Sequence, residues 1–180
     1  MTARHFHFSE NLVLLCLFFH IHRVTIRKWG EEMETGVVRC AHASDVVNLA
    51  SFLESANLST DGIKEAIEYF LIMENDSGDI KATLGIEPHG KIGLLRSLVM
   101  TSTATEKDLF ILFEQILILA RDRGMEALYL ASNKRNSLAF FSLLGFKQEE
   151  TAHLPEVLFK SEHVKHILTV DNSFFLKLSM

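Results

Sequence analysis

The sequence predicts an α/β fold with a mixed sheet, in which an antiparallel meander feeds a βαβ unit. Three observations carry this prediction. Apolar runs at 69–73, 80–87 and 91–100 are separated by the turn-forming clusters Asn75-Asp76-Ser77-Gly78 and Pro88-His89-Gly90, the pattern of consecutive hairpins. A long amphipathic segment follows, with Leu109, Leu112, Phe113, Ile116, Leu117 and Ala120 at helical spacing, so one face should be buried. The run at 125–131 is then apolar enough to be a strand covered on both faces.

In chain order, residues 36–41 read as a short strand. Ser44 and Asp45 cap a helix whose buried stripe is Val46, Val47, Leu49, Ala50 and Leu53. Residues 57–62 form a turn and 63–66 a short helix. The three meander strands come next. A polar stretch at 101–108 leads into a helix over 106–123, which Gly124 terminates. That helix joins strand 91–100 to strand 125–131 as a crossover. A helix over 133–144 ends at Gly145, and 146–149 and 172–178 read as strands.

The length and apolar content, 180 residues and 48%, suffice for one domain with its own core. The net charge of -5 and the lack of a basic stripe argue against a nucleic-acid partner. Cys16 and Cys40 form neither a disulfide framework nor a metal pair, so a reduced, cytoplasmic setting is expected. The apolar run at 12–19 is far short of the ~20 residues that a membrane helix needs. The His20-Ile21-His22-Arg23 flank offers no small-residue cleavage site. Residues 1–32 lack a clear period and hold His5, His7, His20 and His22. Their pairwise spacing suits a strand face, but no carboxylate or cysteine cluster supports a metal site. Gly30-Glu31-Glu32 before Met33 requires purine-rich codons like those of a bacterial ribosome-binding site. The expectation is a non-domain extension or translated leader at 1–32 and a single domain at 33–180.

Several motifs stand in a telling order. Asn136-Ser137-Leu138-Ala139-Phe140-Phe141-Ser142-Leu143-Leu144-Gly145-Phe146 resembles the late helix and turn of the GNAT superfamily of N-acetyltransferases. Leu94-Leu95-Arg96-Ser97-Leu98-Val99 resembles that family's strand before the CoA loop. With Leu84-Gly85-Ile86-Glu87, and a tail running from Pro155 through Ser161-Glu162 to Lys177, the chain is similar to bacterial amino-acid N-acetyltransferase-like members. The resemblance implies the GNAT acyl-CoA N-acyltransferase fold and transfer of an acetyl group from acetyl-CoA to the amine of a small molecule, an amino acid among the candidates. No metal, nucleic acid or membrane is implied, and a homodimer stays open.

Two departures bear on that activity. The family's phosphate-binding glycine loop, counted back from Gly124 without a gap, falls on Ala104, Lys107 and Leu109. Glycines there let backbone N–H groups approach a pyrophosphate, and Leu109 is expected to intrude. Lys107, Thr101, Ser102, Thr103 and Thr105 either supply other phosphate contacts or serve only as cap and loop. The tyrosine that many members use to protonate the leaving thiolate is Phe141 here.

The resemblance also implies site residues. Main-chain groups of Leu98, Val99 and Met100 would hold pantetheine and polarise the thioester oxygen. Asn133 and Asn136 would hold the CoA arm, although Asn133 is equally a helix cap. Glu87 is the candidate base, acting through water, or a strand-end carboxylate. Arg96 either pairs with a substrate carboxylate or forms a structural ion pair. His163 and His166 read as surface residues. The competing expectation is a catalytically inactive GNAT-like domain that binds a ligand or partner protein.

Overall fold

The computed structural model describes residues 37–180. The leader expected at 1–32, with its histidine pairs and apolar run, lies outside the described residues. Within them the chain forms β1 (Val37–Cys40), α1 (Val46–Ser55), β2 (Phe70–Glu74), β3 (Ile80–His89), β4 (Ile92–Met100), α2 (Glu106–Asp122), β5 (Ala127–Ser132), α3 (Leu138–Leu143), β6 (Lys147–Glu149), α4 (Glu162–Leu168) and β7 (Phe174–Ser179). The strands make one sheet in the order β1-β2-β3-β4-β5-β7-β6. Every neighbouring pair is antiparallel except β4 and β5, which α2 connects. No helix of the described residues is long and apolar enough to cross a membrane.

Alternation along the strands sorts the side chains onto two faces. Leu71, Met73, Ala82, Leu84, Ile86 and Leu95 meet Leu112, Phe113, Ile116 and Ala120 of α2 in the main core. The other face carries two separate apolar clusters. One packs Leu49 and Leu53 of α1 on Phe70, Ile72 and Val99. The other packs Leu158 and Val164 on Leu94, Tyr129 and Phe175. The polar end of β3 and the centre of β4 share this second face.

Four local expectations change. At α1, neither Ser44 nor Asp45 caps the helix with its side chain: a 3-10 turn at Ala43–Asp45 precedes it, Asp45 accepts the His42 N–H instead, and Val47 is exposed rather than part of the buried stripe. The turn predicted at Pro88-His89-Gly90 sits one step later: β3 runs on through His89, which pairs with Ile92. Proline is tolerated because β2 pairs only as far as Gly85, so the missing N–H costs no ladder bond. Gly90, at φ +67°, supplies the left-handed residue that a two-residue hairpin demands. The helix expected at 63–66 is a run of turns followed by a 3-10 segment at Ile67–Tyr69. The helix expected at 133–144 begins as a 3-10 turn, Arg135–Ser137, and is α-helical only over Leu138–Leu143.

Gly85 is one of two crowded glycines in the sheet near β4, Gly93 being the other. A Cβ on Gly85 would lie 2.4–2.8 Å from three carbons of the Phe70 ring, and an aromatic ring cannot flex away like a lysine tip. Gly85→Ala should therefore destabilise the fold by about 1–3 kcal/mol through overpacking, lowering the melting midpoint by roughly 2–12 °C. An unchanged midpoint in differential scanning calorimetry would show that Phe70 yields freely.

Candidate active site

The site is built around the way β4 leaves β5. The two strands pair in parallel only at Ile92 with Ala127, Gly93 with Leu128 and Leu94 with Tyr129. Beyond Leu94 the ladder to β5 stops, while β4 continues to Met100. On its other side β4 carries a bulge: Arg96 pairs with Gly85 and Val99 with Thr83, so Ser97 and Leu98 together oppose Leu84. Ser97 takes φ +57°, a left-handed conformation uncommon outside glycine. The bulge bends the strand and re-aims its backbone. Backbone groups of Leu98, Val99 and Met100 thus edge a slot between two strands that have parted. Their side chains are spent on packing: Val99 on the α1 cluster, Leu98 and Met100 on the main core.

The loop beyond Met100 is held closed by the chain itself. Lys81 is the extra residue in the irregularity between β2 and β3. Its carbonyl accepts the Thr101 N–H at 2.9 Å, and its buried ammonium meets Asp108 Oδ2 at 3.0 Å. Asp108 in turn accepts the Thr105 N–H at 2.7 Å and the Thr105 hydroxyl at 2.8 Å, while Thr105 Oγ1 accepts the Asp108 N–H. This is a capping box at the start of α2. The Ala104 N–H donates to the Thr101 carbonyl. The amides of 101, 104, 105 and 108 therefore all have internal partners. Leu109 does not intrude into the loop as expected. It is 7% exposed and belongs to the main core, because the first turn of α2 rotates it toward the sheet. Lys107 is exposed on the same turn.

Glu87 and Arg96 come together on the second face, between its two apolar clusters. Arg96 Nη1 lies 3.6 Å from Glu87 Oε2. The guanidinium also donates to the carbonyls of Asp61 at 3.0 Å and Ser59 at 3.3 Å, and through Nε to Ser97 Oγ. It ties the loop after α1 to the bulge in β4. His89 Nε2 lies 3.0 Å from Glu87 Oε1. That contact is the largest influence on Glu87. Burial opposes it, the Ser161 hydroxyl, the electrostatic influence of His89 and the Arg96 charge reinforce it, and the carboxyl is held below its usual range. Ser161 comes from the cap of α4, where its Oγ also accepts the Val164 N–H. His163, two residues on, is half-buried. Burial and then the nearby Arg96 charge push its pKa down to about 4, against the opposing pull of Glu87. It is therefore a neutral imidazole at physiological pH. Sequence reasoning placed His163 on the surface. The 150–170 stretch gives little periodicity, and only the Ser161 cap signal marks where α4 begins.

Across the slot, at the end of β5, Asn133 Oδ1 is buried without a hydrogen-bond partner among the described residues. Asn136 is exposed in the following 3-10 turn. Phe141 is 3% exposed and makes edge contacts with Phe113, Phe140 and Phe146 at 5.3–5.9 Å. It is a core residue with no proton to give. No group of three or more His, Cys, Asp or Glu side chains among the described residues could hold a metal ion.

The Asp108–Lys81 pair has a measurable signature. Burial alone would raise the Asp108 carboxyl, but the Thr105 amide, the Lys81 ammonium and the Thr105 hydroxyl outweigh it and hold it below its usual range. Its contribution to stability is thus complete above the unfolded carboxyl pKa and is lost as pH falls through the lower folded value. Asp108→Asn leaves the buried Lys81 unpaired and should cost about 3–5 kcal/mol at pH 7. Urea unfolding of both proteins should show that gap shrinking below pH 4. A gap independent of pH would mean the carboxylate charge is not the stabilising element.

No family profile matches the chain. The Bacillus subtilis protein YwlB, itself uncharacterized, is 35% identical over 130 residues, which cover 70% of this chain and 85% of YwlB. Among solved structures, N-acetylglutamate synthase from Neisseria gonorrhoeae, complexed with coenzyme A and N-acetyl-glutamate, matches at a TM-score of 0.63 with 22% identity. That match covers 82% of this chain, which spans about a third of the enzyme's length, 36% of that chain. Rv2747 from Mycobacterium tuberculosis, in complex with CoA, matches at a TM-score of 0.62 with 18% identity, over 80% of this chain and 99% of that one. The parted strands β4 and β5 and these likenesses agree: the chain belongs to the family of YwlB, and its fold is that of the GNAT acetyltransferases.

Proposed function

We propose that the protein is an acetyl-CoA-dependent N-acetyltransferase acting on the amine of a small molecule, with an amino acid as the acceptor class. The observation that carries this reading is the slot left where β4 parts from β5, edged by backbone of Leu98, Val99 and Met100. A pantetheine arm is a chain of amides and methylenes. It can add to such an edge as a short strand would, whatever side chains flank it. The thioester oxygen would then meet main-chain N–H groups near Val99. Asn133, with its buried unpaired Oδ1, would meet an N–H of the arm, and Asn136 would lie nearer its outer end. Lys107 is the exposed cation at the start of α2 and would meet the phosphates.

The acceptor enters from the second face, where Glu87 and Arg96 sit. Glu87 orients a water that receives the ammonium proton. The amine attacks the acetyl carbonyl, the C–S bond breaks, and the thiolate takes a proton from water because Phe141 has none to offer. The amino-acid acceptor rests on the named activity of the Neisseria enzyme and on the Arg96 guanidinium beside the slot. An amino-acid carboxylate would share that guanidinium with the loop carbonyls. The second reading, a ligand-binding module without catalysis, draws on Asp108 and Lys81 closing the phosphate loop and on the burial of Phe141.

Calorimetric titration separates the two. Acetyl-CoA should bind with one site and a Kd on the order of 10 µM or weaker, since several amides of the usual phosphate cradle are already engaged. Binding tighter than about 1 µM would contradict the account of the loop, and no binding at millimolar ligand would favour the non-catalytic module. Arg96→Lys should raise KM for amino acids roughly 10-fold or more, the loss of a paired charge-assisted contact, with a smaller change for carboxylate-free amines. Equal losses on both would restrict Arg96 to anchoring the loop.

A further inference from the structure

Resting on the acetyltransferase reading, we propose that His163 is a further catalytic residue, the group that takes the second proton from the acceptor nitrogen as the new amide forms, the first having gone to the water at Glu87. Helix α4 is docked through Val164, which is fully buried against Leu94, Tyr129 and Phe175. The cap of the same helix, Ser161, is 4% exposed and reaches the Glu87 carboxylate. Two residues along, His163 is half-buried and within electrostatic range of Glu87, Arg96 and His166. β3, β4 and α4 therefore converge on one polar patch next to Leu94, whose pairing with Tyr129 is the last before β4 leaves β5. Glu87 is already engaged by His89, Arg96 and Ser161, whereas the His163 ring makes no hydrogen bond among the described residues. An imidazole held neutral in that position has a lone pair for the acceptor.

The step balances. The amine nitrogen bonds to the acetyl carbon, the C–S bond breaks, the N–H proton moves to the imidazole, and the thiolate is protonated by water. A nitrogen becoming an amide is far more acidic than an ammonium, so even a weakly basic imidazole can accept its proton.

The test screens the twenty L-amino acids with acetyl-CoA, following thiol release by the wild-type chain, His163→Gln and His163→Ala. Circular dichroism melts check that both variants fold. On whichever amino acid the wild type acetylates, kcat should fall roughly 100-fold in both variants, with KM for acetyl-CoA within about two-fold and partial recovery of His163→Ala by added imidazole. Wild-type kcat in either folded variant, or a loss that imidazole does not relieve and that appears in KM, would overturn the role of His163 alone. A wild type inactive on all twenty would remove the amino-acid reading and this inference with it.

Discussion

The parting of β4 from β5 is the constraint on which the rest depends. Three parallel pairs hold the strands together at Leu94 and before. A bulge at Ser97 and Leu98 then turns β4 aside while its antiparallel partner β3 follows it. A flat, fully paired sheet would leave no backbone exposed at this point. The bulge costs a residue in left-handed conformation at Ser97, and such strain persists only where surrounding contacts over-determine it. Those contacts are present: Arg96 beside it is tied to two loop carbonyls and to Glu87, and Val99 beyond it is buried under α1.

The same bulge divides the second face into two parts. The α1 cluster closes one side and the α4 cluster the other, and the polar groups of β3 and β4 lie between them. Gly85 keeps Phe70 close against this floor. Arg96 neutralises Glu87 and spans from the bulge to the loop after α1, so charge compensation and loop position are one interaction. The opposite end of β4 is managed differently. Lys81 pairs with Asp108 at the start of α2, and Asp108 with Thr105 satisfies the helix terminus from within the chain.

Much of this fold was legible in the sequence, and the reasons are specific. The meander was visible because Asn75-Asp76-Ser77-Gly78 is turn chemistry between apolar runs, and α2 because its apolar stripe extends over 17 residues. The boundaries at Pro88 and Asn133 were misread because local propensity does not reveal that β3 has lost its neighbour there, or that a chain leaving β5 tightens into a 3-10 turn before α3. Leu109 was misjudged for a related reason. Counting positions locates a residue along a helix but not around it, and the rotation of the first turn is fixed by Thr105 and Asp108. Of the site, Glu87 and Arg96 were named from their strand positions. The convergence of Ser161 and His163 on them is a tertiary fact, since α4 is far along the chain and its stretch carries little period.

The central claim is that backbone at Leu98, Val99 and Met100 receives an acyl-CoA arm. The most direct test is a titration of acetyl-CoA into uniformly nitrogen-15-labelled protein, followed by amide chemical shifts. The account predicts saturable shifts at Leu98, Val99 and Met100 and at the Asn133 amide, with little change at Thr101, Ala104, Thr105 and Asp108, whose N–H groups already have internal partners. Saturable binding that leaves Leu98, Val99 and Met100 unmoved would contradict it.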